Sequence, residues 1–343
     1  MQATGQLKEN KIIVIKPKDI GRLYSKSHFG KLFAENMLKL DLLEGVFLLA
    51  EEKIKIYCEK EKVDFKTLVK IASKKIQSFE IKYLVYKDLR NRGNAIKLNK
   101  NESFTFHDYN KRFFVSVFSE RDILDIKVTK NLVKETEKEK RKLWFAIVDE
   151  EGDITYYDVS IVDIKGDIKK HQYKKLNGIF LNDRIVIFDK SKSKILFEKE
   201  FFGKPFGDGL QLSLIETLYL QDQNSIELSD TNGKKITKSA LKILLKKQLP
   251  DFKLRLIVFK DLKNRGLIVK TGFKFGAHFR AYAKNPDKTH AEYLVHVVDK
   301  DFKSVWPEIS RAVRLAHSVN KEIVFARVYE KEIDYIKFGR LRP

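Results

Sequence analysis

The sequence is poor in cysteine, in acidic residues relative to basic ones, and in long apolar runs, and each shortage excludes something. With Cys58 alone, no internal disulfide is available, and a reducing compartment is expected. No run approaches the roughly 20 apolar residues of a membrane-spanning helix, and the opening MQATGQLKEN lacks the apolar stretch of an export signal. A cytoplasmic protein with no membrane contact is therefore expected. No Cys/His spacing suggests zinc. The glycine-rich FGKPFGDG (202–209) lacks the spacing of a phosphate-binding loop and reads as a plain loop. Neither metal nor other cofactor is implied. Against 47 acidic side chains stand 69 basic ones, a net charge of +22. Such an excess attracts polyanions, nucleic acid first. A hydrophobic share of 43% over 343 residues is enough for two packed domains and excludes wholesale disorder.

What is present is repetition. DLRNRG (88–93) returns 173 positions later as DLKNRG (261–266), inside the longer match of YLVYKDLRNRGNAIK to LIVFKDLKNRGLIVK. LKLDLLEGVFLL (38–49) matches LQLSLIETLYLQ (210–221), with Glu44 over Glu216. FKTLVKIA (65–72) matches TKSALKILL (237–245) at helical apolar spacing. Later, FFVSVF (113–118) meets YLVHVV (293–298), and LWFAIVDEEGDITYYDV (143–159) meets IVFARVYEKEIDYIKF (323–338). The offset has by then risen to 180, so the first copy lacks about seven residues between 103 and 113. Two copies of so long a unit make a duplicated domain, not a solenoid.

Within each copy the pattern predicts a mixed α+β, α/β fold: a small helical-plus-strand subdomain of short strands and two amphipathic helices, mainly helical, then an α/β subdomain. LRLIVF (254–259), YLVHVV and IVFARV read as strands. WPEISRAVRLAHSV (306–319) reads as a helix opened by Pro307, with Ile309, Ala312, Val313 and Ala316 as its apolar stripe. The expected repeats are 1–168 and 169–343, the second divided into about 178–250 and about 251–343. The basic stretch 163–175 is the expected linker.

The copies differ where KTGFKFGAHFRAYAKNPDKTHAEYLVHVV (270–298) stands against KLNKNESFTFHDYNKRFFVSVF (97–118). Aligned by eye, Tyr109 answers to Tyr282, Asn110 replaces His290, and Arg141 replaces Lys321. The second copy thus keeps Tyr282, His290 and Lys321, and the first keeps only the tyrosine. His278, His296 and His317 read as structural, although His278 and His317 could line the same site.

This plan, with SLIETLYL, DLKNRG, GFKFGAHFRAY, HAEYLV and RLAHSVNKEIVFA in order, resembles the archaeal tRNA-intron splicing endonucleases of the two-repeat, homodimeric type. The resemblance spans nearly the whole chain. It implies a restriction-nuclease-like catalytic subdomain behind a degenerate, structural first repeat. It makes Tyr282, His290 and Lys321 the catalytic set, and precursor tRNA with a bulge–helix–bulge the substrate. It implies metal-independent cleavage to 2′,3′-cyclic phosphate and 5′-hydroxyl ends. It gives the acidic hairpin loop, with Asp149, Glu150, Glu151 and Asp153, a docking role on the partner chain. Arg314 and Arg340 (or Arg342) would contact the bulge base. The chemistry suits the residue types. A histidine holds a proton near neutrality for a leaving oxygen, a tyrosine beside cations can serve as base, and a lysine neutralises a developing oxyanion. A metal-dependent DNA nuclease or junction resolvase of similar fold, and a basic RNA-binding protein without catalysis, are the competing readings.

Overall fold

The computed structural model describes residues 2–33, 36–99, 103–108, 111–173 and 175–343. Each copy opens with a six-stranded sheet rather than with a mainly helical unit. In the first copy, Ala3–Lys8 runs parallel to Ile54–Cys58, and in the second Leu176–Leu181 runs parallel to Ile226–Ser229. Their strands are two to six residues long, too short for a period-two alternation to stand out. FGKPFGDG, expected as a loop, contributes Lys204–Phe206 and pairs it with Gly209–Leu212 as a hairpin. Helices Leu42–Ala50 and Leu214–Asp222 begin with matching capping boxes, Asp41 with Glu44 and Ser213 with Glu216. Each glutamate also accepts a backbone N–H from outside its helix, Gly30 at 2.7 Å and Gly203 at 2.8 Å. That second duty accounts for the match of Glu44 to Glu216.

The segment LRLIVF is helical, contrary to expectation. It belongs to helix Phe252–Asn264, the counterpart of Phe79–Asn91. Phe252, Leu256, Phe259 and Leu262 recur at three- and four-residue intervals and are buried, a helical period masked by the apolar run at 256–259. The repeated DLxNRG phrase ends both helices. Gly93 (φ +90°) and Gly266 (φ +77°) take the left-handed turn after the last helical residues. Asp88 accepts hydrogen bonds from the Tyr156 hydroxyl (2.7 Å) and from Arg92 Nε (2.9 Å). Asp261 accepts from the Tyr335 hydroxyl (2.7 Å) and from Arg265 Nε (2.5 Å). The phrase is the same clasp written twice, fastening each helix to the closing strand of its own copy.

The two α/β halves share one ten-stranded sheet. At its middle, Ile154–Ile161 pairs antiparallel with Glu332–Leu341 through six rungs, from Tyr156↔Leu341 to Ile161↔Ile336. A second link joins Ile123–Asp125 to Lys303–Val305. Helices Ile126–Lys138 and Trp306–Ser318 cover one face. There a single core mixes Phe145 and Tyr157 of the first copy with Trp306, Val313 and Phe325 of the second. The linker lies along the second copy: Gly166 and Ile168 donate backbone hydrogen bonds to Arg265 and Gly266, and Asp167 donates to Ala283. A Cβ on Gly166 would collide with the Gly266 carbonyl, so the approach requires glycine.

Asp261→Ala would leave the buried Tyr335 hydroxyl without its acceptor, at a cost of about 1–3 kcal/mol. For repeats of this size a fall in Tm of several degrees is expected in thermal unfolding (about 2–4 °C per kcal/mol). Asp88→Ala should fall by a similar amount. An unchanged Tm in both would remove the clasp from the account.

Candidate active site

Sheet register sets Tyr282 and Lys321 at the same end of the sheet, and the loop carrying His290 leads into the strand between them. Tyr282 ends strand Phe279–Tyr282, one position past the rung Ala281↔Tyr293. Tyr293 is in turn opposite Glu322 on the parallel strand Glu322–Tyr329, and Lys321 immediately precedes that rung. Neighbouring strands lie about 4.8 Å apart. The ends carrying Tyr282 and Lys321 are thus about 10 Å apart, with the chain leading from His290 into strand Tyr293–Asp299 between them. The strand starts at Tyr293, so His290 belongs to the preceding loop. That loop is folded on Asn285, whose carbonyl accepts from the Lys288 and Thr289 backbone and whose side chain accepts from Asp287. Glu292 pins the far end, its carboxylate accepting from the Ala283 backbone at 2.8 Å.

Tyr282 is 8% exposed and packs with Phe201, Ile268 and Ala291, with the linker residue Ile168 alongside. The Arg280 guanidinium lies 5.7 Å from its ring centroid. His290 is exposed and Lys321 half-buried. The Lys321 backbone N–H closes onto the Ala316 carbonyl (2.9 Å), and its amine donates to Val319 (3.2 Å) beneath the end of helix Trp306–Ser318, 5.5 Å from the Phe275 ring. Among the described residues no hydrogen bond joins the three to one another.

His278 does not line this site. It precedes the opposite end of the strand from Tyr282, accepts the Val297 N–H at Nδ1 (2.9 Å), and stands 3.5 Å from Asp251. Burial, helped by Arg255 and His296, pushes it down to about 4. His296 is half-buried and stacked on Phe325. His317 is exposed in the last turn of the helix before Lys321.

The first copy has lost more than the sequence alignment suggested. Tyr109 and Asn110 lie outside the described residues, but the surrounding rungs set the correspondence. Lys97↔Thr105 matches Lys270↔Arg280, which places His107 where the second copy has Tyr282. Two of the seven missing residues fall before Phe104 and five between the strands, so an alignment that took the whole gap after 103 was two residues off. Arg141, at the position of Lys321, is paired with Glu139 at 2.8 Å.

Arg314 and Arg340 line one cleft where the copies meet, together with Asp149, Asp153, Tyr157 and Ser310. Arg340 is the rung partner of Tyr157. The Tyr157 hydroxyl donates to Ser310 Oγ (3.0 Å), holding the helix that carries Arg314. Burial raises the Tyr157 pKa, opposed by that bond and by the two guanidinium charges. The acidic hairpin turn is well formed: the Asp149 carboxylate accepts from the Glu151 and Asp153 backbone, and Glu150 is paired with Arg121 at 3.0 Å. Loop and arginines therefore occupy the same face.

A basic cleft of about 710 Å³ separates the second copy's small sheet from its catalytic sheet, lined by Arg184, Lys204, Arg255, Lys270 and Arg280. Lys270 and Arg280 stand directly opposite across a ladder, where like charges repel. Burial depresses the Lys270 amine, and Arg280 Nε is buried with no acceptor among the described residues. The sequence reading passed over this cleft because three separate segments build it. The available signal was Arg280 standing where the first copy has Thr105. Among the described residues no three His, Cys, Asp or Glu side chains converge to hold a metal.

Comparison with known proteins agrees with this duplicated plan. The family described as tRNA intron endonuclease, N-terminal domain, matches residues 3–69 and 176–242. The family described as tRNA intron endonuclease, catalytic C-terminal domain, matches 79–156 and 252–335. The tRNA-splicing endonuclease of Methanococcoides burtonii is 36% identical over 96% of this chain and 97% of its own. That of Methanosarcina barkeri is 35% identical over 98% and 99%. That of Hyperthermus butylicus is 34% identical and aligns 89% of its length with 44% of this chain.

His278 gives the site's surroundings a pH signature. An unfolded histidine protonates near 6.5, whereas the folded one stays neutral to about 4. Unfolding therefore takes up a proton between those values, and the stability tied to the neutral ring is full above 6.5 and lost as pH falls towards about 4. In urea titrations the stability advantage of wild type over His278→Gln should shrink from pH 7 to pH 4.5. A difference that does not change with pH would contradict the buried, neutral ring.

Proposed function

Because the chain belongs to the tRNA intron endonuclease family, we propose that it cuts precursor tRNA at bulge–helix–bulge motifs without a metal ion, leaving 2′,3′-cyclic phosphate and 5′-hydroxyl ends. What supports this reading is that Tyr282 and Lys321 stand at the same end of the sheet, two strands apart, with the loop of His290 leading into the strand between them, in one copy of a duplicated fold. Tyr282 takes the proton of the 2′-hydroxyl. The 2′-oxygen attacks phosphorus, His290 gives a proton to the departing 5′-oxygen, and the P–O5′ bond breaks. Lys321 balances the charge that builds on the non-bridging oxygens.

A homodimer follows from counting: the motif has two cut points, and each chain has one complete set. Charge complementarity supports a specific docking, in which the acidic turn Asp149, Glu150, Glu151 and Asp153 of one chain enters the basic cleft of its partner. Carboxylates there would relieve the Lys270–Arg280 repulsion. Since Arg314 and Arg340 share the loop's face, the same contact would bring both guanidinium planes to the partner's catalytic set, where they could sandwich a bulge base.

The decisive assay is a labelled bulge–helix–bulge RNA in EDTA. Cutting is expected, and none where a 2′-deoxynucleotide precedes the cut. Activity only with magnesium would favour the DNA-nuclease chemistry, and binding without cutting a non-catalytic RNA-binding protein. His290→Ala should lower the cleavage rate by about 10²–10⁴-fold, the range of a lost general acid, while RNA affinity is kept.

Sharing across the dimer has its own test. When His290→Ala and Arg314→Ala chains are mixed and exchanged, one site should collect both defects and the other none, so that single cuts reappear. A mixture no more active than its parts, with exchange verified, would end the shared-site model.

A further inference from the structure

Phe273 is 86% exposed, the most exposed large hydrophobic side chain among the described residues. A single exposed apolar side chain is ordinary at a protein surface, but this aromatic ring is presented by a stiff turn. The Phe275 and Ala277 N–H groups bond to the Gly272 carbonyl, Gly276 N–H to Phe273, and Gly272 N–H to His278. Both glycines are required. Gly276 sits at φ +63°, and a Cβ on Gly272 would stand 2.7 Å from the Ala277 carbonyl oxygen. Within the same turn Phe275 packs against the core shared by the two copies, and its ring lies 5.5 Å from the Lys321 amine. The exposed ring is therefore anchored two residues from the aromatic on which the lysine of the site rests.

We propose that Phe273 is a stacking platform for an unpaired base of the RNA, placed beside the cleavage site to set which bulge nucleotide is accepted. The inference rests on the RNA-cleavage reading and adds a residue to it. Three observations favour a base over a protein partner. Leu315 is an exposed neighbour of the turn at Gly276, Lys274 follows Phe273 in sequence, and Arg311 lies one helical turn from Leu315. A lone aromatic among positive charges fits single-stranded nucleic acid, whereas protein interfaces gather apolar area at their centre. The turn also belongs to the copy that holds the catalytic set. Register places Asn99 at the position of Gly272, and by sequence Lys100, outside the described residues, takes that of Phe273.

The test uses the full chain and a bulge–helix–bulge RNA made uncleavable by 2′-deoxynucleotides at the cuts, with 2-aminopurine placed in turn at each bulge position. Wild type should quench the fluorescence at one position. Phe273→Ala should lose that quench and raise KM on cleavable RNA about tenfold, as expected for one lost base stack, with kcat changed less. Phe273→Trp should restore both. Unchanged quench and KM in Phe273→Ala would overturn the proposal. So would a shift from dimer to monomer in light scattering with the quench retained, since the ring would then belong to a contact between chains. The quench is read on uncut RNA, so it reports on Phe273 even if the assay for metal-free cleavage fails.

Discussion

The six rungs between Ile154–Ile161 and Glu332–Leu341 hold the rest of the molecule in place. They turn two α/β sheets into one and force the helices of both copies to share a core in which Trp306 stacks on Tyr157 at 6.0 Å and 11°. Antiparallel pairing of equivalent strands relates the copies by an approximate two-fold, so every feature at the seam has a contribution from each side. The Tyr157↔Arg340 rung and the Tyr157–Ser310 hydrogen bond are examples. A first-copy side chain thereby fixes two second-copy arginines. A repeat without the catalytic set still has work to do, because removing it would unsupport the surface that carries Arg314 and Arg340.

What the two copies retain in common is mechanical. Beyond the Asp–Tyr–Arg clasp, a cation from the helix of each clasp reaches into the small subdomain. Arg90 lies 3.7 Å from the Phe29 ring centroid and donates to the Ser27 carbonyl (2.7 Å). Lys263 lies 4.5 Å from Phe202 and is paired at 2.8 Å with the buried carboxylate of Glu200. Glu200 also accepts from the His171 backbone and the Tyr173 hydroxyl. A buried ion pair survives only where its remaining lone pairs are satisfied, and here residues of the linker satisfy them. The charge added in the second copy thus doubles as the anchor that holds the linker against the catalytic half, where Ile168 packs behind Tyr282.

Much of this was legible in the sequence, for reasons specific to each element. The duplication showed because capping boxes, clasps and helix-ending glycines need particular residues at fixed spacings, and those survive when surface residues drift. Tyr282, His290 and Lys321 stood out through the family resemblance and because the first copy, aligned by sequence, has Asn110 and Arg141 in place of the histidine and the lysine. LRLIVF reads as a strand because the apolar run at 256–259 hides its helical period. Short strands opening each copy were legible, but their pairing into six-stranded sheets was not, because strands of two to six residues show little alternation. Tyr109 was matched to Tyr282 because a sequence carries no rungs, and one gap of seven is a simpler guess than gaps of two and five. The basic cleft and the seam between the copies needed the fold itself, since both unite residues distant along the chain.

On the proposed docking, the asymmetry between the copies also limits how large the assembly can grow. A chain with an acidic loop and a basic cleft in both copies would offer two donors and two acceptors, and head-to-tail addition could continue indefinitely. The sequence removes one of each. The second copy's hairpin turn, Glu330 and Lys331, is mixed in sign, and the first copy's ladder sets Lys97 opposite Thr105 instead of a second cation. One loop and one cleft per chain are both used when two chains exchange them reciprocally, whereas an open chain of copies leaves one of each unused at its ends. On that reading, the divergence that would confine catalysis to one copy sits alongside one that favours a closed assembly.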